Sequence, residues 1–436
     1  MAKLAKLHGP IFSLRLGYQL VVVGSSPAVA AEILRKKDRF LSGRFVPKAI
    51  PRPSHELDRI ALVWNPSCSD QWKSLRALSR TELFSAKAIE SKAALREQKV
   101  SEMIEFLGIK QGQVVNVGEV VFATVFNSIS NLLFSKDFIS FEDEESVSGL
   151  KGLMWKLMEL GSAPNLADFY PIFSGLDLQG LRKKMSKCLK EMFDIWEIFI
   201  KERRERHARN GVVKEDFLDV FISNGFDDEQ INWLIHELFS AGTDTTTTTV
   251  EWAMAELLKN KEAMNKVCQE LEREINKNSI NESQVSQFPY LYACIKETFR
   301  LHPPAPFLGH QPLETCEVMN YTIPKDSQII VNIWAVGRDP LAWEDPLLFK
   351  PERFLESSLD LKGHDFELLP FSSGRRMCPG LPMAIRFLPL ILASLIHYFD
   401  WSLPGGEDPA MLDMNDKYGI TLQKEKPLLL VPNTKL

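Results

Sequence analysis

The segment Phe371–Gly380 reads FSSGRRMCPG and says more about the fold than any other stretch of the chain. It places one cysteine, Cys378, among glycines, two arginines and a proline, just before an apolar run typical of a helix. A thiolate here would be stabilised by Arg375 and Arg376, by backbone N–H groups of the turn and by the next helix's N-terminus. A buried cysteine is more often inert packing, but these surroundings favour a reactive sulfur with a low pKa.

The composition favours one large domain over residues 1–436. Hydrophobic residues make up 45% of the chain, and no low-complexity tract, linker or repeat marks a boundary. The net charge of −5 gives no basic field that would attract nucleic acid. The 6 cysteines show no CxxC spacing, which argues against a zinc site or a secreted disulfide framework and favours a reducing compartment.

The hydrophobic pattern predicts a mainly α protein with a small β region. Residues 11–24 read as a β-hairpin, and residues 70–300 show apolar residues at helical three-to-four spacing. Prolines then end the helical part, and short β runs follow at Tyr321–Ile323 and Gln328–Asn332. A last helix over roughly Met383–Tyr398 precedes short C-terminal strands.

The helix around residues 238–257 contains the run AGTDTTTTTVEW, which breaks the local rules of helix propensity. Glycine costs about 1 kcal/mol relative to alanine inside a helix, and each threonine costs several tenths. Such a conflict points to a functional site, and Gly242 would let a large planar group approach the backbone. The structural alternative is that hydroxyls bond to carbonyls four residues earlier, which we expect at least for Thr247–Thr249.

The cysteine segment resembles the haem-binding loop of the cytochrome P450 family, FxxGxRxCxG. Phe371, Gly374, Arg376, Cys378 and Gly380 match this pattern residue for residue. The resemblance implies the cytochrome P450 fold, with haem b between the long central helix and the cysteine loop. It also implies that the Cys378 thiolate is the axial iron ligand and that Arg376 pairs with a haem propionate.

The threonine-rich helix resembles the oxygen-activation motif of the same family. Residues 241–246, which include Ala241 and Gly242 beside the haem, match that motif. The resemblance implies that Asp244 and Thr245 relay protons during oxygen activation, which needs two protons delivered in a nearly dry pocket.

A third match is the family's ExxR motif, carried by Glu297 and Arg300 in KETFRLHPP. The two residues lie on one helical face, and taken alone an exposed pair would contribute under about 1 kcal/mol. The resemblance implies a buried network with Arg353 of the PERF segment. The expected role of this network is structural, because it would hold the cysteine loop.

Two further positions are expected to reach the haem propionates. Trp72 and Arg76 resemble the family's WxxxR pattern, which is weak by itself. His310, in FLGHQPLE, stands where relatives carry a propionate-binding histidine or arginine. Its loop departs from the pattern, with Gly309 where proline is common and one residue fewer, and we expect a reshaped pocket wall there. By analogy, the substrate pocket is expected to be lined by Ser240, Ala241, Thr245, Phe307, Leu308 and Ile420.

The resemblance covers essentially the whole chain and is greatest to plant microsomal enzymes. Those relatives begin with a membrane anchor and a proline-rich hinge, which we expect to have been removed here. The full-length protein is then expected in the endoplasmic reticulum membrane with its catalytic domain facing the cytosol, and the chain as given is expected to be a soluble monomer. No GxGxxG fingerprint follows a strand, so electrons must come from NADPH through a separate reductase, docking near Arg375.

These matches predict a haem-thiolate monooxygenase that uses O2 to hydroxylate or oxidatively rearrange a plant specialised metabolite. Residues 314–332 resemble enzymes of alkaloid pathways, which makes an alkaloid the first choice of substrate, and a terpenoid hydroxylase is the alternative. A reductase-independent isomerase and a non-catalytic haem binder are two other classes. Retention of Asp244 and Thr245 favours the monooxygenase over both.

Overall fold

The computed structural model describes residues 1–51, 61–173, 175–211, 216–275 and 280–435. The helices are α1 Ala2–His8, α2 Pro27–Ala31, α3 Asp38–Leu41, α4 Asp70–Glu82, α5 Ala86–Ser91, α6 Ala93–Ile109, α7 Val117–Phe134, α8 Glu144–Ser162, α9 Leu166–Phe169, α10 Leu181–Asn210, α11 Phe217–Ser223, α12 Asp228–Lys259, α13 Lys261–Glu274, α14 Pro289–Leu301, α15 Ile333–Val336 and α16 Leu381–Tyr398. The strands are β1 Ile11–Leu16, β2 Gln19–Gly24, β3 Val115–Asn116, β4 Phe307–His310, β5 Cys316–Val318, β6 Tyr321–Ile323, β7 Gln328–Asn332, β8 Phe399–Ser402, β9 Asp416–Tyr418, β10 Leu422–Lys424 and β11 Leu429–Thr434. The prediction of a mainly α protein with a small β region is confirmed.

The predicted N-terminal hairpin forms the edge of the largest sheet. Strands β1 and β2 pair antiparallel, β2 pairs parallel with β7, and β4 completes the order β1-β2-β7-β4. The valine run of β2 is buried on both faces of the strand, with Val21 and Val23 on one side and Val22 on the other. The Ser26 hydroxyl then accepts the Val29 N–H and caps α2, as serine does at this position. The two β runs predicted after the helical region are β6 and β7.

Helix α12 has 32 residues and runs through the helical part of the molecule. A capping box starts it, because the Asp227 side chain accepts the Gln230 N–H and the Gln230 side chain accepts the Asp227 N–H. Its main neighbour is α7, almost all of whose residues are buried. Helices α7 and α16 are long and apolar enough to span a membrane, but 89% and 61% of their residues are buried inside the protein.

The cysteine segment lies between α14 and the start of α16. Helix α14 ends at Leu301, before the three prolines. Helix α16 begins at Leu381, two residues earlier than predicted, because Pro382 is favourable in the first turn. The largest apolar cluster extends from Ala49 to Leu430 and contains the inner faces of α7, α12, α14 and α16. This packing places the cysteine segment opposite the middle of α12.

Candidate active site

The backbone of the cysteine loop depends on two residues with left-handed conformations. Ser372 has φ +62° and Gly374 has φ +68°. A Cβ atom on Gly374 would lie 2.0 Å from the carbonyl oxygen of Leu34, so only glycine fits there. The Cys378 N–H donates to the Phe371 carbonyl at 2.9 Å. These contacts turn the chain so that Cys378 precedes the first turn of α16.

The electrostatic surroundings of Cys378 differ from those expected. Burial raises the pKa of the thiol, while the Gly380 and Leu381 N–H groups and the Arg76 guanidinium lower it. The expected stabilisation by Arg375 and Arg376 is wrong, because the Arg375 guanidinium lies 3.5 Å from Asp38 and Arg376 donates to backbone carbonyls. The protein groups that favour the thiolate are therefore these N–H groups and Arg76, and coordination to a metal deprotonates a thiol outright.

The structure brings Glu297, Arg300 and Arg353 together behind the cysteine loop. Arg300 donates to both carboxylate oxygens of Glu297 at 2.7 Å, and Arg353 Nε donates to Oε1 at 3.1 Å. Glu297 and Arg300 are fully buried. On the same helix, the ring of Phe299 contacts that of Phe371 edge-on at 5.3 Å. The network therefore ties α14 to residues 337–353, and the Phe299–Phe371 contact joins the same helix to the cysteine segment.

A cavity separates Cys378 from the central part of α12. Ala241, Gly242 and Thr245 line it on the α12 side, and Phe371, Cys378 and Gly380 line it on the loop side. A Cβ atom on Gly380 would contact Cys378 Sγ at 3.7 Å. Most of the remaining lining residues are apolar: Leu62, Val63, Leu83, Phe84, Val125, Ile129, Leu132, Leu133, Leu238, Met383, Ala384 and Phe387. The space between helix and loop suits a flat apolar group.

Helix packing requires a glycine at position 242, in addition to the functional role that the sequence predicts for Gly242. An added Cβ would lie 2.7 Å from Ile129 Cδ1 of α7, so the glycine also lets the two helices approach each other. The structural alternative for the threonines holds for Thr245, Thr246 and Thr249, whose hydroxyls donate to carbonyls four residues earlier. It is wrong for Thr247, whose buried hydroxyl has no partner among the described residues. Thr245 therefore combines a back-bonded hydroxyl with a position on the cavity wall.

Asp244 is buried next to the cavity and is held by side chains from distant parts of the chain. Its carboxylate accepts hydrogen bonds from Trp155 Nε1 at 2.9 Å, from Gln423 Nε2 at 3.0 Å and from the Thr421 hydroxyl. Burial raises the pKa of the carboxyl group, and these hydrogen bonds oppose that change. A carboxyl group with a raised pKa keeps its proton to a higher pH than an exposed carboxyl group does.

Four basic side chains form a cluster at one side of the cavity: Arg44, Arg76, Arg376 and His310. Three of them have donor or acceptor atoms without a partner. Arg376 Nη1, Arg44 Nε and His310 Nε2 are buried without a partner among the described residues. Burial, followed by the charges of neighbouring Arg376 and Arg76, lowers the pKa of Arg44 to about 10. Such an unbalanced cluster of cations is suited to bind carboxylates, so the residues fit the two propionates of a haem.

Three predicted propionate residues also have partners within the protein. The Arg76 guanidinium donates to the Met377 carbonyl, and the Trp72 indole donates to the Leu62 carbonyl at 2.9 Å. His310 Nδ1 lies 2.8 Å from the Leu41 carbonyl, so Nδ1 carries the proton of the neutral ring. Burial, followed by the charge of Arg44, lowers the pKa of His310 to about 3. A carboxylate at Nε2 would favour the protonated form instead.

The remaining predicted pocket residues lie outside the lining of this cavity. The Ser240 hydroxyl lies 3.4 Å from His236 Nδ1, and the Phe307 ring lies 5.5 Å from that of Tyr418. Leu308 packs in the apolar cluster beside the four-stranded sheet. Ile420 Cδ1 lies 3.4 Å from the position of a Cβ added to Gly161 of α8. These four side chains therefore pack against neighbouring elements and do not line the cavity between α12 and the cysteine loop.

Comparison with known proteins decides the family. The family model described as cytochrome P450 matches residues 1–431. The chain belongs to the cytochrome P450 family. This membership implies a haem cofactor. Three features of the site fit it: the single thiol opposite α12, the glycines that leave room for its approach, and the unbalanced basic cluster. Among the described residues no group of three or more His, Cys, Asp or Glu side chains could hold another metal ion.

Curated plant enzymes are similar to this cytochrome P450 over nearly its whole length. Probable (S)-N-methylcoclaurine 3'-hydroxylase isozyme 2 from Coptis japonica is 50% identical, covering 99% of this chain and 88% of the relative. Corytuberine synthase from the same plant is 45% identical over 100% and 88% of the two chains. Geraniol 8-hydroxylase from Catharanthus roseus is 44% identical over 100% and 89%.

Solved structures support the fold alone. A zebra fish cytochrome P450 with progesterone has a TM-score of 0.81 at 24% identity, covering 99% of this chain and 98% of that one. The predictions of the P450 fold, of a monooxygenase and of haem b as cofactor are thus confirmed. The enzyme uses O2 and receives electrons from NADPH through a reductase, and its substrate is a small molecule.

Sequence analysis missed several residues of the site. Arg44, Glu237 and Trp155 lie in segments without a motif, and Thr421 and Gln423 belong to a short C-terminal strand region. Glu237 carried a usable signal, because a glutamate four residues before Ala241 must share the cavity face of α12. For the other four no local pattern could have revealed their roles.

Proposed function

We propose that this cytochrome P450 hydroxylates an alkaloid, with Cys378 as the axial ligand of the haem iron. The observation that carries the cofactor site is the position of Cys378 in the cavity wall, opposite Ala241 and Gly242 of α12. The substrate class is supported by the 50% identity to an enzyme named as an N-methylcoclaurine hydroxylase. Haem bound here would supply the activation of O2 and the oxidising chemistry.

The protein's own residues would hold the cofactor and exclude water. Arg76, Arg376 and His310, together with Arg44, would bind the propionates, and the Trp72 indole would support the segment beside them. The donors without partners on Arg44 and Arg376 support this assignment. The apolar side chains from α7 and α16 would keep the site dry, which strengthens every electrostatic interaction inside it.

Asp244 and Thr245 would move the protons. The Asp244 carboxyl group, held by donors from Trp155, Thr421 and Gln423, would take up and release the proton. Thr245, one residue further along α12, lines the cavity; its hydroxyl would accept a proton on the oxygen and release its own proton into the cavity. Because the Thr245 hydroxyl donates to the Ala241 carbonyl at 2.7 Å, that bond must open during proton transfer.

The substrate proposal can be tested by titrating the ferric protein with a benzylisoquinoline and with a monoterpene alcohol. An alkaloid substrate displaces iron-bound water and shifts the iron spin state, so the absorption spectrum should change on addition of the benzylisoquinoline. The second candidate is a terpenoid hydroxylase, which the identity to geraniol 8-hydroxylase favours. Spin-shifting binding of the monoterpene alcohol alone would select that candidate.

We also propose attachment to the cytosolic face of the endoplasmic reticulum membrane. An apolar surface supports it, formed by Leu166, Tyr170, Ile172, Leu176 and Leu178 beside the hairpin residue Tyr18. Ile172 is 82% exposed, and exposed apolar patches of this kind bind partners or membranes. Replacing Ile172 with glutamate should reduce co-sedimentation with phospholipid vesicles, and unchanged co-sedimentation would contradict the assignment.

A further inference from the structure

The cavity contains one carboxylate among the lining residues that the structure describes, Glu237 of α12. It lies one helical turn before Ala241 and two turns before Thr245, so the three residues share a face of the helix. The other polar side chains of the lining are the hydroxyls of Thr245 and Thr246 and the thiol of Cys378. A negative charge at this position is therefore conspicuous in an otherwise apolar wall.

Three backbone N–H groups hold the Glu237 carboxylate. Leu62 N–H donates to Oε2 at 2.6 Å, and the N–H groups of Val63 and Trp64 donate to Oε1 at 3.0 and 3.1 Å. A carboxylate has about four acceptor sites, so one acceptor site is left. Leu62 and Val63 also line the cavity, which means that Glu237 shapes this wall and contributes its charge to it.

No described side chain forms an ion pair with Glu237. Arg376 is the cation that affects its titration, but Arg376 donates to the Ser42 and Asn65 carbonyls instead. Burial raises the pKa of Glu237 to about 7, and the three N–H groups offset only part of this cost. A buried carboxylate without a counter-ion gains most from a cation that arrives with the ligand.

We propose that Glu237 binds the protonated amine of the substrate through a charge-assisted hydrogen bond and thereby selects organic ammonium ions. This inference rests on the proposed function as an alkaloid hydroxylase and names the residue that recognises the substrate class. At 1.5 Å per residue, Glu237 lies about 6 Å along the helix from Ala241 and about 12 Å from Thr245. The preferred substrates should thus carry their nitrogen about 6 to 12 Å from the carbon that is oxidised.

The experiment compares two ligands of one shape in three proteins. The ligands are (S)-N-methylcoclaurine, which is a cation at neutral pH, and its N-formyl analogue, which is a neutral amide. The proteins are the parent, Glu237→Gln and the matched control Glu251→Gln. Glu251 lies on the same helix, is buried and accepts the Leu428 N–H at 2.8 Å, but it does not line the cavity.

Dissociation constants are read from the ligand-induced difference spectrum, and the thiolate-type carbon monoxide band checks the haem site. Glu237→Gln should weaken binding of the cation by about tenfold or more, as expected for loss of a hydrogen bond to a charged group. Binding of the neutral analogue should change by less than about threefold. Glu251→Gln should leave the ratio of the two constants at the parent value.

Equal weakening of both ligands by Glu237→Gln would reduce Glu237 to a support for residues 62–64 and overturn the inference. No weakening of either ligand would overturn it as well, while the proposed function would survive because the parent still binds the amine. If Glu237→Gln fails to fold, the parent decides: it must bind the cation more tightly than the neutral analogue. A parent that binds a monoterpene alcohol and neither test ligand would overturn the proposed substrate class itself.

Discussion

Two buried glutamates on neighbouring helices have opposite surroundings. Glu297 of α14 accepts hydrogen bonds from Arg300 and Arg353 and from the Lys350 N–H at 2.8 Å. Glu237 of α12 accepts only backbone N–H groups among the described residues, and burial raises its pKa to about 7. The first carboxylate binds groups of residues 350–353, and the second lines the cavity.

The difference shows that buried charges can have two uses: one supports the fold, and the other recognises a ligand. The negative charge of Glu297 is balanced within the protein, so the group can stay ionised and rigid whether or not a ligand is present. Glu237 and Arg376 affect each other's pKa, but no hydrogen bond joins the two side chains among the described residues. Groups of this kind are costly to fold and become favourable when a ligand supplies the missing charge.

Cys378→Ser gives the largest effect expected, because this residue joins the two regions. The loop that carries it packs through Phe371 against Phe299, on the helix of Glu297, whereas Cys378 itself lines the cavity. The thiolate-type carbon monoxide spectrum should be lost completely, since only an anionic sulfur supplies the necessary electron density. Serine at each of the other five cysteines should leave the band unchanged. A Cys378→Ser protein that keeps the band would refute the axial-ligand assignment.

Glu297→Gln should come next, because it leaves two buried guanidinium groups without a counter-ion. Breaking a buried ion pair in this way costs about 3 to 5 kcal/mol of the free energy of unfolding. Urea titration followed by circular dichroism measures that loss. In the control Glu191→Gln, an exposed pair with Lys187 is removed at a cost of under about 1 kcal/mol. Similar costs for both variants would show that the network does not support the fold.

The two glutamates should also differ in how they make the free energy of unfolding depend on pH. The pKa of Glu237 is raised in the folded protein, so its contribution to stability is present below its unfolded value near 4.5 and is lost as pH rises through about 7. Between pH 5 and 8 the parent should lose about 2 kcal/mol more of its unfolding free energy than Glu237→Gln does. Parallel pH profiles of the two proteins would contradict the raised pKa.

Thr245→Ala should have the smallest effect on the protein and a selective effect on the reaction. Substrate binding should stay within about twofold, while product formed per NADPH falls by about tenfold, because proton delivery is damaged. Thr249→Ala is the control, since its hydroxyl back-bonds in the same way but does not line the cavity. If the two variants form the same amount of product per NADPH, Thr245 has no part in proton transfer.

Short-range patterns were sufficient for the elements and insufficient for the electrostatics. The hairpin, β6, β7 and the end of α14 follow from β-branched runs and prolines, which act over a few residues. The predicted stabilisation of the Cys378 thiolate by Arg375 was wrong, because Arg375 pairs with Asp38, 337 positions away in the chain. The same limit applies to Thr247, whose hydroxyl orientation depends on packing against neighbouring helices.

The sequence by itself determined the family, the fold class and the cysteine expected to hold the iron, because these depend on residue types at fixed short spacings. Gly374 shows the physical reason, since its left-handed φ and its approach to Leu34 allow no side chain. Only the tertiary structure decided which groups balance each buried charge. The partners of Asp244 lie 89 to 179 positions away, and Arg44 reaches the basic cluster from a segment without a motif. Such contacts depend on how distant elements pack, which no local pattern encodes.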